Sequence, residues 1–252
     1  MHLCSMEDMS IVSREQVDIL CITAHPDDVE ISMAGTVLHH VAMGSTVGLV
    51  DLTAGELGTR GTPEIRAKEA EAAAAVLGVR FRYQLGMSDG FFRVDEAHLL
   101  KVVQAIRVHR PGVILTNAVS DRHPDHGRGA ELVARAAFLS GLRRIVTSID
   151  GEPQEAWRPK AVWHAVQDRW IDPDVVIDIT PVWNKKEEAL RCFRSQFHDP
   201  TSTEPVSPIS RPDFLPFLEG RAREMGRLIG TTFGEGFTSA RPPGVRDLTA
   251  LD

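Results

Sequence analysis

Two short segments of the chain each place histidine and aspartate close after an apolar run. The first is AHPDDVE at residues 24–30, after the run DILCIT, and the second is SDRHPDHGR at residues 120–128, shortly after GVILTN. Together they supply three imidazoles and several carboxylates, which are ligands that Zn²⁺ takes in catalytic sites with one position open to water. The two segments therefore predict a metal centre, provided that the fold brings them together.

The spacing within each segment indicates which side chains can bind the metal and which remain free for catalysis. Pro26 stiffens the first turn, so that His25 and Asp28, three residues apart, can converge on one ion while Asp27 points elsewhere. The same reasoning leaves one ligating and one free histidine in the second segment. A site with two histidines and one aspartate as ligands would then have Asp27 as a base and a second imidazole nearby.

The elements that must position these segments alternate between strand-like and helical patterns. The main strand-like runs are at 18–24, 46–53, 80–85, 112–117, 161–166 and 175–180, and a helix from Pro63 to Leu77 is capped by Thr62. Such alternation is typical of βαβ units. We therefore expect an α/β fold, a Rossmann-like three-layer sandwich with a mostly parallel sheet. Because functional groups gather at the carboxyl ends of parallel strands, both segments are expected at one edge.

Length, charge and cysteine content restrict the class of protein. We expect residues 1–16 to be an irregular lead-in and residues 17–252 to form a single domain, since 252 residues suffice for one core. The net charge of −7 argues against a nucleic-acid partner. No apolar run approaches the roughly 18 residues of a membrane span. Three distant cysteines without a CxxC motif indicate a reducing cytoplasm.

With the helix start PEIRAKEA at 63–70, the two segments resemble the LmbE/PIG-L family of zinc-dependent N-acetylglucosaminyl deacetylases. The resemblance extends over nearly the whole chain, through LTAGELGTRGT, LGMSDGFF, SQF and GEGF. These outer segments are most similar to the branch that deacetylates N-acetylglucosaminyl malate in bacillithiol biosynthesis. The resemblance implies an enzyme that hydrolyses the acetamide of a small-molecule sugar conjugate, and we also expect a homo-oligomer.

The resemblance also implies a role for each residue of the two segments. It implies that zinc is held by His25, Asp28 and His126. A site with two histidines and one aspartate can also accept Fe²⁺ or Co²⁺. Asp27 is implied as the general base. His123, oriented by Asp125 and protonated, is implied to stabilise the oxyanion of the tetrahedral intermediate.

Substrate contacts are expected from four residues: Arg60, Arg66, Arg122 and Asp89. A guanidinium binds a carboxylate through a bidentate fork, so the arginines suit a malate aglycone, and Asp89 suits sugar hydroxyls. The alternatives are an ion pair of Arg66 with Glu69 on the helix surface, solvated loop charges for the other two arginines, and a turn role for Asp89.

Other interpretations of the motifs remain open. Asp27 or Asp28 alone can cap a helix, and Phe91-Phe92 is expected in the core, with a pocket wall as the alternative. A metal phosphohydrolase is the second enzyme class, although such sites often use two metals and more carboxylates. A non-catalytic nucleotide- or metal-binding module is disfavoured because the first turn has no GxGxxG pattern.

Overall fold

The computed structural model describes residues 14–250, so most of the expected lead-in of residues 1–16 lies outside the described residues. Residues 14–17 have no regular secondary structure. Within the described part of the chain, no helix is both long enough and apolar enough to cross a membrane.

A seven-stranded sheet forms the centre of the protein, in the order β3-β2-β1-β4-β7-β9-β8. Its strands are β1 (Ile19–Thr23), β2 (Val47–Thr53), β3 (Phe81–Met87), β4 (Val113–Thr116), β7 (Ala161–Ala165), β8 (Val175–Asp178) and β9 (Gly234–Thr238). β5 (Ser148–Ile149) and β6 (Glu152–Pro153) form a separate small hairpin. The first five strands of the order are parallel, and β9 is antiparallel to both of its neighbours. The predicted mostly parallel sheet is confirmed.

Helices cover both faces of the sheet. They are α1 (Asp28–Ser32), α2 (Ala34–Ala42), α3 (Pro63–Leu77), α4 (Glu96–His109), α5 (Pro124–Ser140), α6 (Trp183–Arg191) and α7 (Phe214–Leu228). α4 and α5 pack together over one apolar core, whereas α2 and α3 pack with α6 over the other side. This arrangement confirms the predicted three-layer sandwich.

The helical segment after β1 is divided at Met33, whose φ of −146° is not helical. A new helix begins there because its first amides have a distant acceptor. The Glu235 carboxylate of β9 accepts hydrogen bonds from the Gly35 and Thr36 amides, at 2.9 and 2.6 Å. Long-range capping of this kind leaves no signal in the local sequence.

The strand order reverses between β1 and β4. β1 leads outward to β2 and β3 on one side, while β4 leads to β7 on the other. The register pairs Ile22 with Thr116, so the loops that follow the two strands leave the sheet side by side. Such a switch point forms the crevice in which open α/β sheets bind their ligands.

His109, at the end of α4, is a buried histidine that the fold holds neutral. Its Nδ1 lies 2.8 Å from the Glu15 carbonyl oxygen and its Nε2 lies 3.0 Å from the Tyr83 hydroxyl. Burial lowers the pKa of His109 to about 4, against 6.5 in an exposed chain. The stabilisation from this side chain is therefore complete above pH 6.5 and is lost as the pH falls toward 4.

We expect His109→Gln to flatten the pH dependence of stability between pH 6.5 and pH 5. Glutamine can still pair with both partners but takes up no proton, whereas each pH unit removes up to about 1.4 kcal/mol from the wild-type protein. Urea unfolding of both proteins across this window measures the difference, and the other histidines are common to both. Parallel pH profiles would show that His109 is not the titrating group.

Candidate active site

Asn117, which directly follows β4, joins the two loops at the switch point. Its Oδ1 accepts a hydrogen bond from the Ala24 amide at 2.8 Å, and its Nδ2 donates to Asp28 Oδ2 at 2.9 Å. The same Nδ2 donates to Gln167 Oε1 at 3.0 Å, in the loop after β7. All of these side chains are buried. These hydrogen bonds therefore fix the relative positions of the loops that follow β1, β4 and β7.

The three expected metal ligands converge beside this amide. Asp28 Oδ1 lies 3.0 Å from His126 Nε2, and Asp28 Oδ2 lies 3.5 Å from His25 Nδ1. One ring nitrogen from each of His25, His123 and His126 also lies within 4.8 Å of the other two. Two imidazoles and a carboxylate suit a catalytic zinc ion with an open position, so the donor set fits the metal that the sequence predicts.

The outer nitrogen of each ligating histidine meets a carboxylate. His25 Nε2 lies 3.0 Å from Asp89 Oδ1, and His126 Nδ1 lies 2.5 Å from Asp121 Oδ2. Histidines that bind metals commonly donate their other ring N–H to a carboxylate, which fixes the tautomer and orients the ring. This pattern assigns His25 Nδ1 and His126 Nε2 to the ion.

Asp121 is a functional candidate that the sequence analysis missed. It stands five residues before His126, and its other oxygen accepts a hydrogen bond from the Arg169 amide at 2.8 Å. The Asp-to-His spacing was visible in the sequence, but nothing there distinguishes it from ordinary loop chemistry. Asp89, expected at sugar hydroxyls, uses both oxygens in the protein, on His25 and on the Leu57 amide. Its contact with sugar stays a prediction.

The ligands carry opposite charges before any metal binds. Burial opposes the charged form of His126, but Asp28 and Asp121 raise its pKa to about 9. Burial likewise opposes it at His25, where contacts with Asp125, Asp28 and Asp89 nevertheless raise the pKa. The pKa of Asp28 is held below its usual range by both histidines, against the effect of its burial. Metal binding must therefore displace protons from the two imidazoles.

Asp27, the expected base, is held by Arg66. It occupies the cap position of α1 but makes no side-chain capping bond. Instead, Asp27 Oδ1 accepts a hydrogen bond from Arg66 Nη2 at 3.1 Å, with both side chains buried. Arg66 Nη1 also donates to the Gly55 carbonyl at 2.9 Å. A Cβ at Gly55, whose φ is +64°, would lie 1.9 Å from Nη1, so this close approach requires glycine.

The alternative of an ion pair between Arg66 and Glu69 on the helix surface is wrong. Glu69, its alternative partner on the helix, instead accepts hydrogen bonds from the amide and hydroxyl of Ser195. The observed partner of Arg66 is the proposed base, and its contact with substrate stays a prediction.

His123 and Asp125 also differ from the expected arrangement. His123 caps α5, and its Nδ1 accepts a hydrogen bond from the Asp125 backbone amide at 3.3 Å. The Asp125 carboxylate turns away to the Gly90 amide and Arg128. Burial, together with the nearby charges of His25 and His126, lowers the pKa of His123. Since Nδ1 accepts this hydrogen bond, Nε2 is the ring nitrogen left to donate.

Each of the two remaining arginines lies beside an acidic residue of another loop. Arg122 is exposed and forms an ion pair with Asp168 at 2.9 Å, as the alternative of a solvated loop charge describes. Arg60 is buried, and its Nε lies 3.6 Å from a Glu204 oxygen. That Nε has no hydrogen-bond partner within residues 14–250, and the same is true of Arg66 Nε.

We expect Asp121→Asn to lower metal affinity about 10- to 100-fold, because the carboxylate that orients His126 loses its charge. Competition with a chromogenic chelator for Zn²⁺ measures the affinity directly. Asp168→Asn, in the neighbouring loop, is the matched control. Wild-type affinity in both Asp121→Asn and Asp121→Ala would remove this residue from the metal site.

Comparison with known proteins gives one family. Residues 20–137 match the family described as GlcNAc-PI de-N-acetylase, PIG-L. The crystal structure of the conserved protein TT1542 from Thermus thermophilus is 31% identical, with a TM-score of 0.81 over 92% of this chain and 99% of that one.

Curated relatives carry more than one activity. The diacetylchitobiose deacetylase of Thermococcus kodakarensis is 27% identical over 86% of this chain and 81% of its own length. The probable N-acetyl-alpha-D-glucosaminyl L-malate deacetylase 2 of Bacillus cereus is 27% identical, over 71% and 83%. The 4-oxalmesaconate hydratase of Pseudomonas putida is 26% identical, over 73% and 75%.

Proposed function

Because this chain belongs to the PIG-L/LmbE family of deacetylases, we propose that it hydrolyses the acetamide of an N-acetylglucosaminyl conjugate with a single zinc ion. The observation that carries the proposal is the convergence of His25, Asp28 and His126, with the buried carboxylate of Asp27 on the neighbouring residue. A pure binding site has no use for that additional carboxylate.

The proposed chemistry assigns one task to each group. When bound, the metal polarises the amide carbonyl and lowers the pKa of water from 15.7 to about 7. Asp27, held by Arg66, accepts the proton of the attacking water and returns it to the leaving amine. His123 donates its Nε2–H to the developing oxyanion. The amide C–N bond breaks, giving acetate and the free amine. Fe²⁺ or Co²⁺ suit the same donors.

The aglycone that the sequence favours is malate, as in bacillithiol biosynthesis. Support comes from the relative that carries that name, and the guanidinium of Arg60 suits a carboxylate. Diacetylchitobiose, the substrate in the name of another relative, is the second candidate.

We further propose that the protein works in the cytoplasm as a homo-oligomer. The support for the compartment is that Cys21 is buried and that both Cys21 and Cys192 are free thiols in the structure. Light scattering on the purified protein tests the oligomer.

We expect zinc-loaded protein to release acetate from N-acetylglucosaminyl malate, and Asp27→Asn to abolish most of this release while retaining the metal. The substitution preserves size and the hydrogen bond to Arg66 but removes the base. Acetate and free amine are quantified together with the metal content, and free N-acetylglucosamine and diacetylchitobiose serve as comparison substrates.

Three results would redirect the proposal. Loss of metal from Asp27→Asn would make Asp27 a ligand instead of the base. Release from other conjugates but not from the malate conjugate would retain the chemistry and discard that aglycone. Absence of acetate and amine from every conjugate would exclude a deacetylase, and assays of phosphate esters and of water addition to an unsaturated acid would follow.

A further inference from the structure

Arg128, near the start of α5, joins this helix to the loop that follows β3. Its Nη1 donates to Asp125 Oδ1 at 2.6 Å and to the Gly90 carbonyl oxygen at 3.0 Å. The Gly90 amide in turn donates to Asp125 Oδ2 at 2.8 Å. The three residues therefore close a ring of hydrogen bonds, here called the Gly90 clamp.

The Gly90 clamp lies directly beside the proposed metal ligand His25. Asp125 Oδ2 lies 3.5 Å from His25 Nε2, and Asp89, the residue before Gly90, places its Oδ1 3.0 Å from the same nitrogen. Both carboxylates are buried. The outer nitrogen of His25 thus meets two carboxylates, one from each of the elements that the clamp joins.

The two carboxylates repel each other. One oxygen of Asp89 lies within 4.8 Å of one oxygen of Asp125, and like charges interact strongly at such a distance in a buried site. The Arg128 guanidinium pairs with Asp125 and offsets one of the two charges. Without this guanidinium, we expect repulsion to move the Asp125 carboxylate away from Asp89 and to loosen the orientation of the His25 ring.

The Arg128 side chain is itself held by an aromatic ring. Its Cζ lies 5.3 Å from the centre of the Phe92 ring, which is within the range of a cation–π contact. Phe92 is 1% exposed and belongs to the core, whereas Phe91 is 73% exposed. The expectation that this phenylalanine pair is core is therefore confirmed for Phe92 and wrong for Phe91. Because its platform is a core side chain, the guanidinium has a fixed position.

We propose that Arg128 is a positioning residue for the metal centre. Through the Gly90 clamp it holds both carboxylates against His25 Nε2 and so fixes the direction in which His25 Nδ1 faces the ion. This inference rests on the metal site of the proposed function. It also gives Asp125 a different task from the one that the family resemblance implies, because the carboxylate faces His25 while the backbone amide contacts His123.

The test measures the affinity of the whole protein for Zn²⁺ by competition with a chelator, without substrate. Arg128→Met retains an unbranched stem over Phe92 but removes the charge and the donors. We expect it to lower the affinity about 10-fold, the lower end of the range for outer partners of a ligating histidine. Arg128→Lys keeps a charged donor and should restore most of the affinity. Asp125→Asn should lower it about 10- to 100-fold, and this variant tests the same contact if Arg128→Met does not fold.

Two further measurements separate positioning from a general effect on stability or charge. The visible spectrum of Co²⁺-loaded protein reports the geometry of the ligands, and it should change in Arg128→Met and be restored in Arg128→Lys. Arg128→Met introduced into Asp125→Asn should cause a much smaller additional loss of affinity, because the two residues act through one contact. Arg135→Ala is the matched control, since Arg135 lies on the same helix and pairs at 3.2 Å with the exposed Glu131. Its affinity and spectrum should equal those of the wild-type protein.

Three results would overturn the inference. Higher zinc affinity in Arg128→Met would show that Arg128 acts only as a positive charge that repels the ion. Lower stability of metal-free Arg128→Met in urea, with wild-type affinity and Co²⁺ spectrum, would reduce the residue to a structural role. Wild-type zinc affinity in Asp125→Asn, together with a lower kcat for acetate release, would return Asp125 to His123.

The failure of this inference can be distinguished from the failure of the proposed function. Because the affinities are measured without substrate, wild-type protein that binds zinc but releases no acetate from any conjugate would reject the reaction alone. The expected losses of affinity in Arg128→Met and Asp125→Asn would then still support the positioning role. Wild-type protein that binds no zinc would reject both.

Discussion

The parallel pairing of β1 with β4 is the constraint on which the candidate active site depends. It places side by side two loops that are about a hundred residues apart in sequence, and Asn117 then joins an amide of one loop to a carboxylate that follows it. Neither loop has a complete set of ligands. Metal affinity therefore depends on the pairing of β1 with β4 as well as on the histidines. A shift in the register of these strands would separate the metal-binding side chains.

A group of buried charged side chains lies beneath the loop that follows β1 and supports its conformation. The Arg82 guanidinium donates to the Pro26 carbonyl at 2.7 Å and pairs with Glu30 and Asp51 at 2.7 and 2.8 Å. Burial raises the pKa of Glu30 to about 7, although Arg82 opposes the shift. Replacing one member of such a group leaves an uncompensated buried charge, which costs several kcal/mol. The turn that carries His25 thus rests on an ionic network rather than on apolar packing.

Much of this arrangement could be predicted from local sequence, and the remainder depends on contacts across the fold. The helix from Pro63 to Leu77 has its own cap and stop signals, so its bounds agree with the sequence. β9 was not predicted because GEGFT contains two glycines, which suit strands poorly. The pairing of Arg66 with Asp27 joins side chains 39 residues apart, and the role of Gln167 depends on a third strand. No local pattern encodes such pairs.

The segment that matches the family ends at residue 137, and every proposed ligand and catalytic residue lies within it. Yet β4 pairs on its far side with β7, and Gln167 just beyond that strand accepts hydrogen bonds from Asn117 and from the Ala118 amide. A polypeptide cut after residue 137 would present β4 as a bare strand edge, which invites association with other chains. A fragment that folds on its own must therefore extend beyond residue 137, although all of the proposed ligands and catalytic residues lie before that point.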